Sequence, residues 1–234
     1  MWFRDLWYNE IIKKYSKLYK LYKEKTIMKI VEKYFKEIEN KYKKLGCYKN
    51  WSHFWNLKEG VSEKNREELL SVFPDAPESL LEMLDIVDGT YWREYAGEKF
   101  TQYLFGSDVD DGEYPYYLLS TREIIDDKDI TNNFSDFFYY AIEEPDEKYG
   151  PFLDKKISTD VNQLKWIHFS DCMNNGGTSK LFIDLTPSET GKKGQIVRYF
   201  HDPDELKVIA DSFDSFLEML IKKEMIFLHE DDFE

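Results

Sequence analysis

The chain has 234 residues, 42% apolar and 33% charged, enough to bury a sizeable core and too apolar for a disordered polypeptide. Its formal net charge of −14 is unevenly placed: residues 1–50 carry 14 Lys and Arg against six Asp and Glu, net +8, and the remainder carries 18 against 40, net −22. An acidic body repels nucleic acid and membrane phosphates and attracts cationic partners. No apolar run approaches the ~20 residues needed to span a bilayer. The segment after Trp7 alternates apolar residues with lysines and offers no small-residue cleavage site, so secretion is not expected and a cytoplasmic location is. Met1 and Met28 are both readable as natural starts.

In chain order, Trp7, Tyr8, Ile11, Ile12, Tyr15, Leu18, Tyr19 and Tyr22 fall on one side of a helix at about 100° per residue. A second stripe runs Ile27, Ile30, Val31, Tyr34, Phe35, Ile38, Tyr42 and Leu45, out of phase with the first by roughly 140°. Either the helix breaks near Lys23–Thr26 or one long helix touches two surfaces. Gly46 after Lys43 and Lys44 suits a C-terminal stop. Ser62 caps a helix bearing Leu69, Leu70 and Phe73. Asp75 with Glu78 reads as a capping box opening a helix of Leu80, Leu81, Leu84 and Val87, which Gly89 ends. Strands are expected at Gln102–Phe105 and Tyr116–Leu119, then a Ser120/Glu123 start for a short helix around Ile124.

Residues 132–163 combine an aromatic cluster (Phe134, Phe137, Phe138, Tyr139, Tyr140) with an acidic, proline-bearing loop and give no clear period. Beyond them Lys165–Phe169, Ser179–Leu185, Gln195–Phe200 and Val208–Ala210 read as strands, the middle two forming a hairpin through Pro187, Gly191 and Gly194. Ser212 caps a closing helix with Phe213, Phe216, Leu217, Leu220 and Ile221 on one face. Helices, then strands, then a helix predict an α+β fold: a mostly antiparallel, curved sheet with helices packed on it. The expected division is a basic amphipathic helical extension over residues 1–45 and an α+β domain over 46–234.

From Trp51 onward the chain resembles the SUKH superfamily, founded on the fungal Smi and Knr cell-wall regulators. The resemblance rests on an ordered set of segments. These are Gly60-Val61-Ser62; Phe73-Pro74-Asp75-Ala76-Pro77; Val87-Asp88-Gly89-Thr90; Tyr103-Leu104-Phe105-Gly106; and Tyr116-Tyr117-Leu118-Leu119-Ser120. The C-terminal half adds Phe182-Ile183-Asp184-Leu185-Thr186-Pro187, Gly194-Gln195-Ile196-Val197 and Val208-Ile209-Ala210-Asp211-Ser212-Phe213. The resemblance implies a sheet with helices packed on it. For function it implies either a bacterial immunity protein that binds and neutralises a toxin, often a nuclease, or a regulatory scaffold of the fungal type. Asp88-Gly89 departs from the Asn followed by two glycines common in the family, and the basic arm lies outside the family pattern.

Two acidic groups are candidate contacts for a cationic protein: Asp108, Asp110, Asp111 and Glu113 with neighbouring Tyr114 and Tyr116, and Glu143, Glu144, Asp146 and Glu147. Tyrosine is favoured at interfaces because it is large, rigid and partly polar; the competing reading of each group is a solvated loop. The D-x-D-D-x-E spacing lacks the twelve-residue calcium pattern. Asn174-Asn175-Gly176-Gly177 lacks phosphate-loop spacing and precedes a strand. His168 and Cys172, four apart, read as ordinary packing, and two cysteines with four scattered histidines supply neither a disulfide framework nor a zinc site. No nucleophile–base grouping stands out, so no cofactor, metal or catalytic residue is expected. Lys13, Lys17, Lys20 and Lys23 lie opposite the arm's aromatic stripe. The arm's expected partner is its own acidic domain, with a twin arm in a homodimer as the alternative.

Overall fold

The computed structural model describes residues 28–109, 115–143, 150–172 and 179–229. Helix α1 (Ile30–Lys44) turns Val31, Tyr34, Phe35, Ile38 and Tyr42 inward, the second stripe of the sequence. It ends as the glycine predicts: Gly46 sits at φ +78°, its N–H donates to the Lys43 carbonyl, and the Cys47 N–H reaches back 3.0 Å to the Tyr42 carbonyl. This reciprocal pair satisfies carbonyls that the helix end would otherwise orphan. Helices α2 (Tyr48–Leu57), α3 (Glu63–Val72) and α4 (Glu78–Ile86) follow. Ser62 caps α3 by accepting the Asn65 N–H. The capping box expected at Asp75 and Glu78 does not form. Helix α4 begins at Glu78 with Pro77 at the cap position, so Asp75 lies two residues outside the cap, Glu78 is the first helical residue, and the proline ring has no oxygen with which to cap.

A short hairpin, β1 (Arg93–Tyr95) and β2 (Glu98–Phe100), precedes the main sheet. That sheet comprises β3 (Tyr116–Leu118), β4 (Phe152–Leu153), β5 (Trp166–Cys172), β6 (Ser179–Asp184), β7 (Gln195–Phe200) and β8 (Glu205–Ala210), in the order β3-β5-β6-β7-β8-β4. All pairs are antiparallel except β4 with β8. Between β3 and β4 lie α5 (Thr121–Asp126), a 3-10 turn (Ile130–Phe134) and α6 (Ser135–Ile142). Helix α7 (Phe213–Lys222) closes the fold behind a Ser212/Ser215 cap. The fold is α+β. Gln102–Phe105, expected as a strand, is loop with one bridge from Phe105 to Tyr116, since Thr90 and Phe105 between them occupy the outer edge of β3.

Strand alternation sends side chains to two faces. On one face Ile167, Phe169, Leu181, Ile183 and Ile196 pack with residues of α1, α2, α4 and α7. On the other Trp166, Phe182, Val197 and Leu206 are covered by Ile130, Phe134, Phe137 and Phe138. The aromatic cluster with no clear period is therefore the lid of the second face. Helix α1 shares the larger core with the sheet and contacts α7. The earlier part of the arm lies outside the described residues.

The start of α5 is fixed from two sides. Ser120 and Glu123 form the predicted capping box, and the buried Asp88 carboxylate accepts the Thr121 N–H at 2.7 Å. Gly89 lets Asp88 reach it: its φ is +88°, and a Cβ there would lie 2.8 Å from the Ser120 nitrogen. Phe169→Ala, which removes the ring between Phe105, Phe213 and Phe216, is expected to cost about 3–5 kcal/mol in urea unfolding.

Candidate partner-binding surface

Of the acidic and tyrosine residues singled out in the sequence, the described set contains Asp108, Tyr116 and Glu143. Asp110, Asp111, Glu113, Tyr114, Glu144, Asp146 and Glu147 lie outside the described residues. Tyr116 is a correction. It is fully buried on β3, and its hydroxyl is hydrogen-bonded to the Ser179 hydroxyl, so it belongs to the core and offers no surface. Asp108 is also turned inward. Its side chain is 19% exposed and lies 2.8 Å from Arg198 Nη1 and 2.7 Å from Lys207 Nζ. The Lys223 ammonium donates to the Asp108 carbonyl at 2.7 Å. Arg198 is nearly fully buried and also pairs with Glu205. A guanidinium out of water needs carboxylates around it, and Asp108 is one of the two it has among the described residues. The residue anchors the loop to the sheet and leaves little charge for a partner.

Glu143 stands differently. It is exposed at the C-terminal end of α6, a helix split by its own periodicity. Phe137 and Phe138 point into the second core, and Tyr139 and Tyr140 point to solvent, Tyr140 at 52% exposure. The two tyrosine rings meet edge to face at 5.3 Å. Past the end of α6, Ile142 and Leu153 line one wall of a groove of about 630 Å³, with Ile157 and Pro187 beyond them. Phe152, the neighbour of Leu153 on edge strand β4, is 53% exposed. Tyr139 and Tyr140 beside the Glu143 carboxylate form a surface that can take up a cationic side chain by charge and by ring face, whereas Phe152 points to the opposite face of the sheet from Leu153. Tyr139 and Tyr140 were not legible as contact residues: they follow Phe137 and Phe138 in one aromatic run, and only packing separates the inward rings from the outward ones.

A second aromatic pair lies on the approach to β1. Tyr91 stacks on Tyr117 at 4.0 Å, and Trp92 is 64% exposed with φ +49°. A non-glycine residue in the left-handed region carries strain of about 1 kcal/mol or more. The Tyr91-Trp92 dipeptide directly after Gly89-Thr90 was the available sequence signal.

The SMI1 / KNR4 family (SUKH-1) matches residues 64–219, from the first turn of α3 to the middle of α7 and including every described strand. The chain belongs to this family. Comparison with curated proteins finds no match. Helices α1 and α2 precede the matched span yet fill the same core as the rest of this SUKH-1 domain.

The segment Phe182–Pro187, which carried much of the resemblance, is explained by its geometry. Buried Asp184 accepts the Thr186 N–H and the Gln195 side-chain amide, each at 2.9 Å, while its carbonyl accepts the Gly194 N–H at 2.7 Å. Burial pushes the Asp184 carboxyl above its ordinary range, against those hydrogen bonds. The Thr186 hydroxyl then accepts the Lys165 N–H. These bonds tie the β6–β7 turn to the start of β5.

Inside the SUKH-1 domain, buried His168 bridges Asp127 (2.7 Å) and Asp171 (3.1 Å), and Asp171 also pairs with Lys180 at 2.6 Å. Among the described residues no group of three or more His, Cys, Asp or Glu is disposed to hold a metal, and His168 is committed to its two carboxylates. Burial opposes charging the imidazole, but the hydrogen bonds to Asp127 and Asp171 outweigh it and raise His168 above its ordinary 6.5. Burial likewise opposes ionising Asp171, but His168 and Lys180 hold its carboxyl below its ordinary 3.8.

Two outcomes follow for stability. His168 is more basic folded than unfolded, so its contribution is complete below pH 6.5 and is lost as pH rises through its raised folded value. Asp171, more acidic when folded, contributes above pH 3.8 and loses that as acid protonates it. Urea midpoints should therefore fall as pH rises above 6.5, and His168→Gln should flatten that fall. Asp108→Asn should cost about 1–3 kcal/mol in urea unfolding, because Arg198 is left with one carboxylate in a buried site; an unchanged midpoint would contradict the anchoring role.

Proposed function

We propose that this chain is a non-enzymatic, protein-binding immunity protein that neutralises a cognate toxin, of the basic nuclease kind, by docking onto it. The observation that carries this reading is the membership of the SMI1 / KNR4 family (SUKH-1), a family that includes toxin-immunity proteins. The charge supports it. Nuclease toxins are basic because they must engage phosphates, and a body of net −22 over residues 51–234 steers itself onto such a target. The contact surface we favour is Tyr139, Tyr140 and Glu143, where two exposed rings lie within one helical turn of a carboxylate. The remaining acidic candidates, Asp110, Asp111, Glu113, Glu144, Asp146 and Glu147 with Tyr114, belong to the same reading as steering charges. The protein then works in the cytoplasm, where the toxin arrives.

The competing role within the family is an intracellular regulatory scaffold of the Smi/Knr type with no toxin partner. The two separate on co-expression with the toxin encoded beside this gene. Rescue of growth, with a complex that weakens as salt rises, supports the immunity reading; no rescue and no complex at low salt ends it. With the complex in hand, Tyr139→Ala and Tyr140→Ala are each expected to weaken binding about tenfold or more by titration calorimetry. Glu143→Lys should slow association and reduce its salt dependence. If Trp92→Ala weakens binding and the other two do not, the contact surface lies at the hairpin and not at α6.

A further inference from the structure

We infer that the apolar groove between α1, α2 and α4 is a docking site for the chain's own basic aromatic arm, residues 7–22, folded back in cis. The groove encloses about 300 Å³ and has Phe35, Trp51, Trp55 and Ile86 as its floor. The rings are pre-assembled: Trp55 lies 5.0 Å from Phe35 and stacks on Trp51 at 5.1 Å. Glu32 and Glu39 line the groove along α1, with Lys36 between them. Lys43 pairs with Glu39, whereas Glu32 has no ion pair among the described residues. The inference is independent of the toxin reading.

Three observations point to the arm as occupant. The first is where the chain enters. Lys29, at the N-terminus of α1, pairs with Glu82 on α4, and Ile86, one turn further along α4, already lines the groove. Met28 is exposed there. The second is phase. Helix α1 spends its apolar stripe on the core, and the stripe from Trp7 to Tyr22 is rotated from it by roughly 140°. A straight continuation of α1 would therefore leave that stripe without an apolar surface. The third is length and charge. Sixteen residues in a helix extend about 24 Å, more than the ~11 Å of α1 between Glu32 and Glu39. Residues 23–29 can bridge up to roughly 23 Å, enough for the chain to reverse. Residues 1–27 carry seven Lys and Arg against three Asp and Glu, so the arm brings cations toward Glu32 and the acidic body. Tethering at the groove mouth gives an effective concentration on the order of millimolar, which favours the cis arm over one from another copy.

Limited trypsin digestion of the full chain tests this, read by mass spectrometry at the lysines from Lys13 to Lys25. In the wild type these sites should be cut at least about tenfold more slowly than in the double variant Ile12→Glu/Tyr15→Glu, and the protection should be independent of protein concentration at monomeric mass. Ile86→Glu, which charges the groove floor, should expose the same sites. If that variant fails to fold, the arm variant still decides, because its substitutions lie outside the described core. Equal cleavage of wild type and arm variant overturns the inference. So does protection that grows with protein concentration alongside a doubled mass, which would give the groove to a second copy's arm.

Discussion

Strands β5 and β6 carry large apolar side chains on both sides, Ile167 and Phe169 against Trp166, Leu181 and Ile183 against Phe182. A sheet of that kind is stable only when both faces are covered, and this requirement arranges the rest of the chain. The larger cover comes from both ends, α1, α2 and α4 before the sheet and α7 after it. The smaller one comes from the middle, the 3-10 turn and α6, inserted between β3 and β4. Because the middle segment must turn Phe134, Phe137 and Phe138 inward, its intervening residues turn outward, and α6 presents Tyr139, Tyr140 and Glu143 to solvent. The candidate surface is thus a by-product of covering the second face.

Charge is organised by depth. Among the described residues, the buried cation Arg198 and the buried His168 each gather two carboxylates: Asp108 and Glu205 for one, Asp127 and Asp171 for the other. Those acids hold the structure together and are lost to recognition. Acids left outside, such as Glu143, remain to shape the field a partner meets. A strongly negative sequence total therefore overstates the charge available at any one loop, and a cluster of aspartates must be sorted residue by residue before it counts as a surface.

How far the sequence could be read follows from the same physics. Long, periodic elements were legible: α1 from its stripe, α7 from Ser212 and its apolar face, and β7 at its observed bounds. Caps with a side-chain oxygen three residues before a matching acid were legible at Ser120, but the same pattern misled at Asp75, where Pro77 takes the cap position. Helix α2 was missed because only Trp51 and Phe54 of its ten residues are buried, leaving no stripe to detect, and the β1–β2 hairpin because each strand has three residues. The candidate surface was half legible. Glu143 was identified from its acidic neighbourhood, but Tyr139 and Tyr140 were hidden in an aromatic run, and Tyr116 was placed outside although it is wholly inside. Exposure at single positions is decided by tertiary packing, which a local pattern does not encode.

The sheet margins carry a last consequence. Along β3 the outer backbone is taken up by Thr90 and Phe105, and along β8 the two-residue β4 is continued by Asp154, whose carboxylate accepts the Val208 N–H at 3.2 Å. Neither margin offers a long ladder of unpaired amides on which another molecule could add a strand. Edge-to-edge pairing between copies therefore finds little backbone template at either described margin, so a change of an outward side chain there alters the surface without opening a ladder.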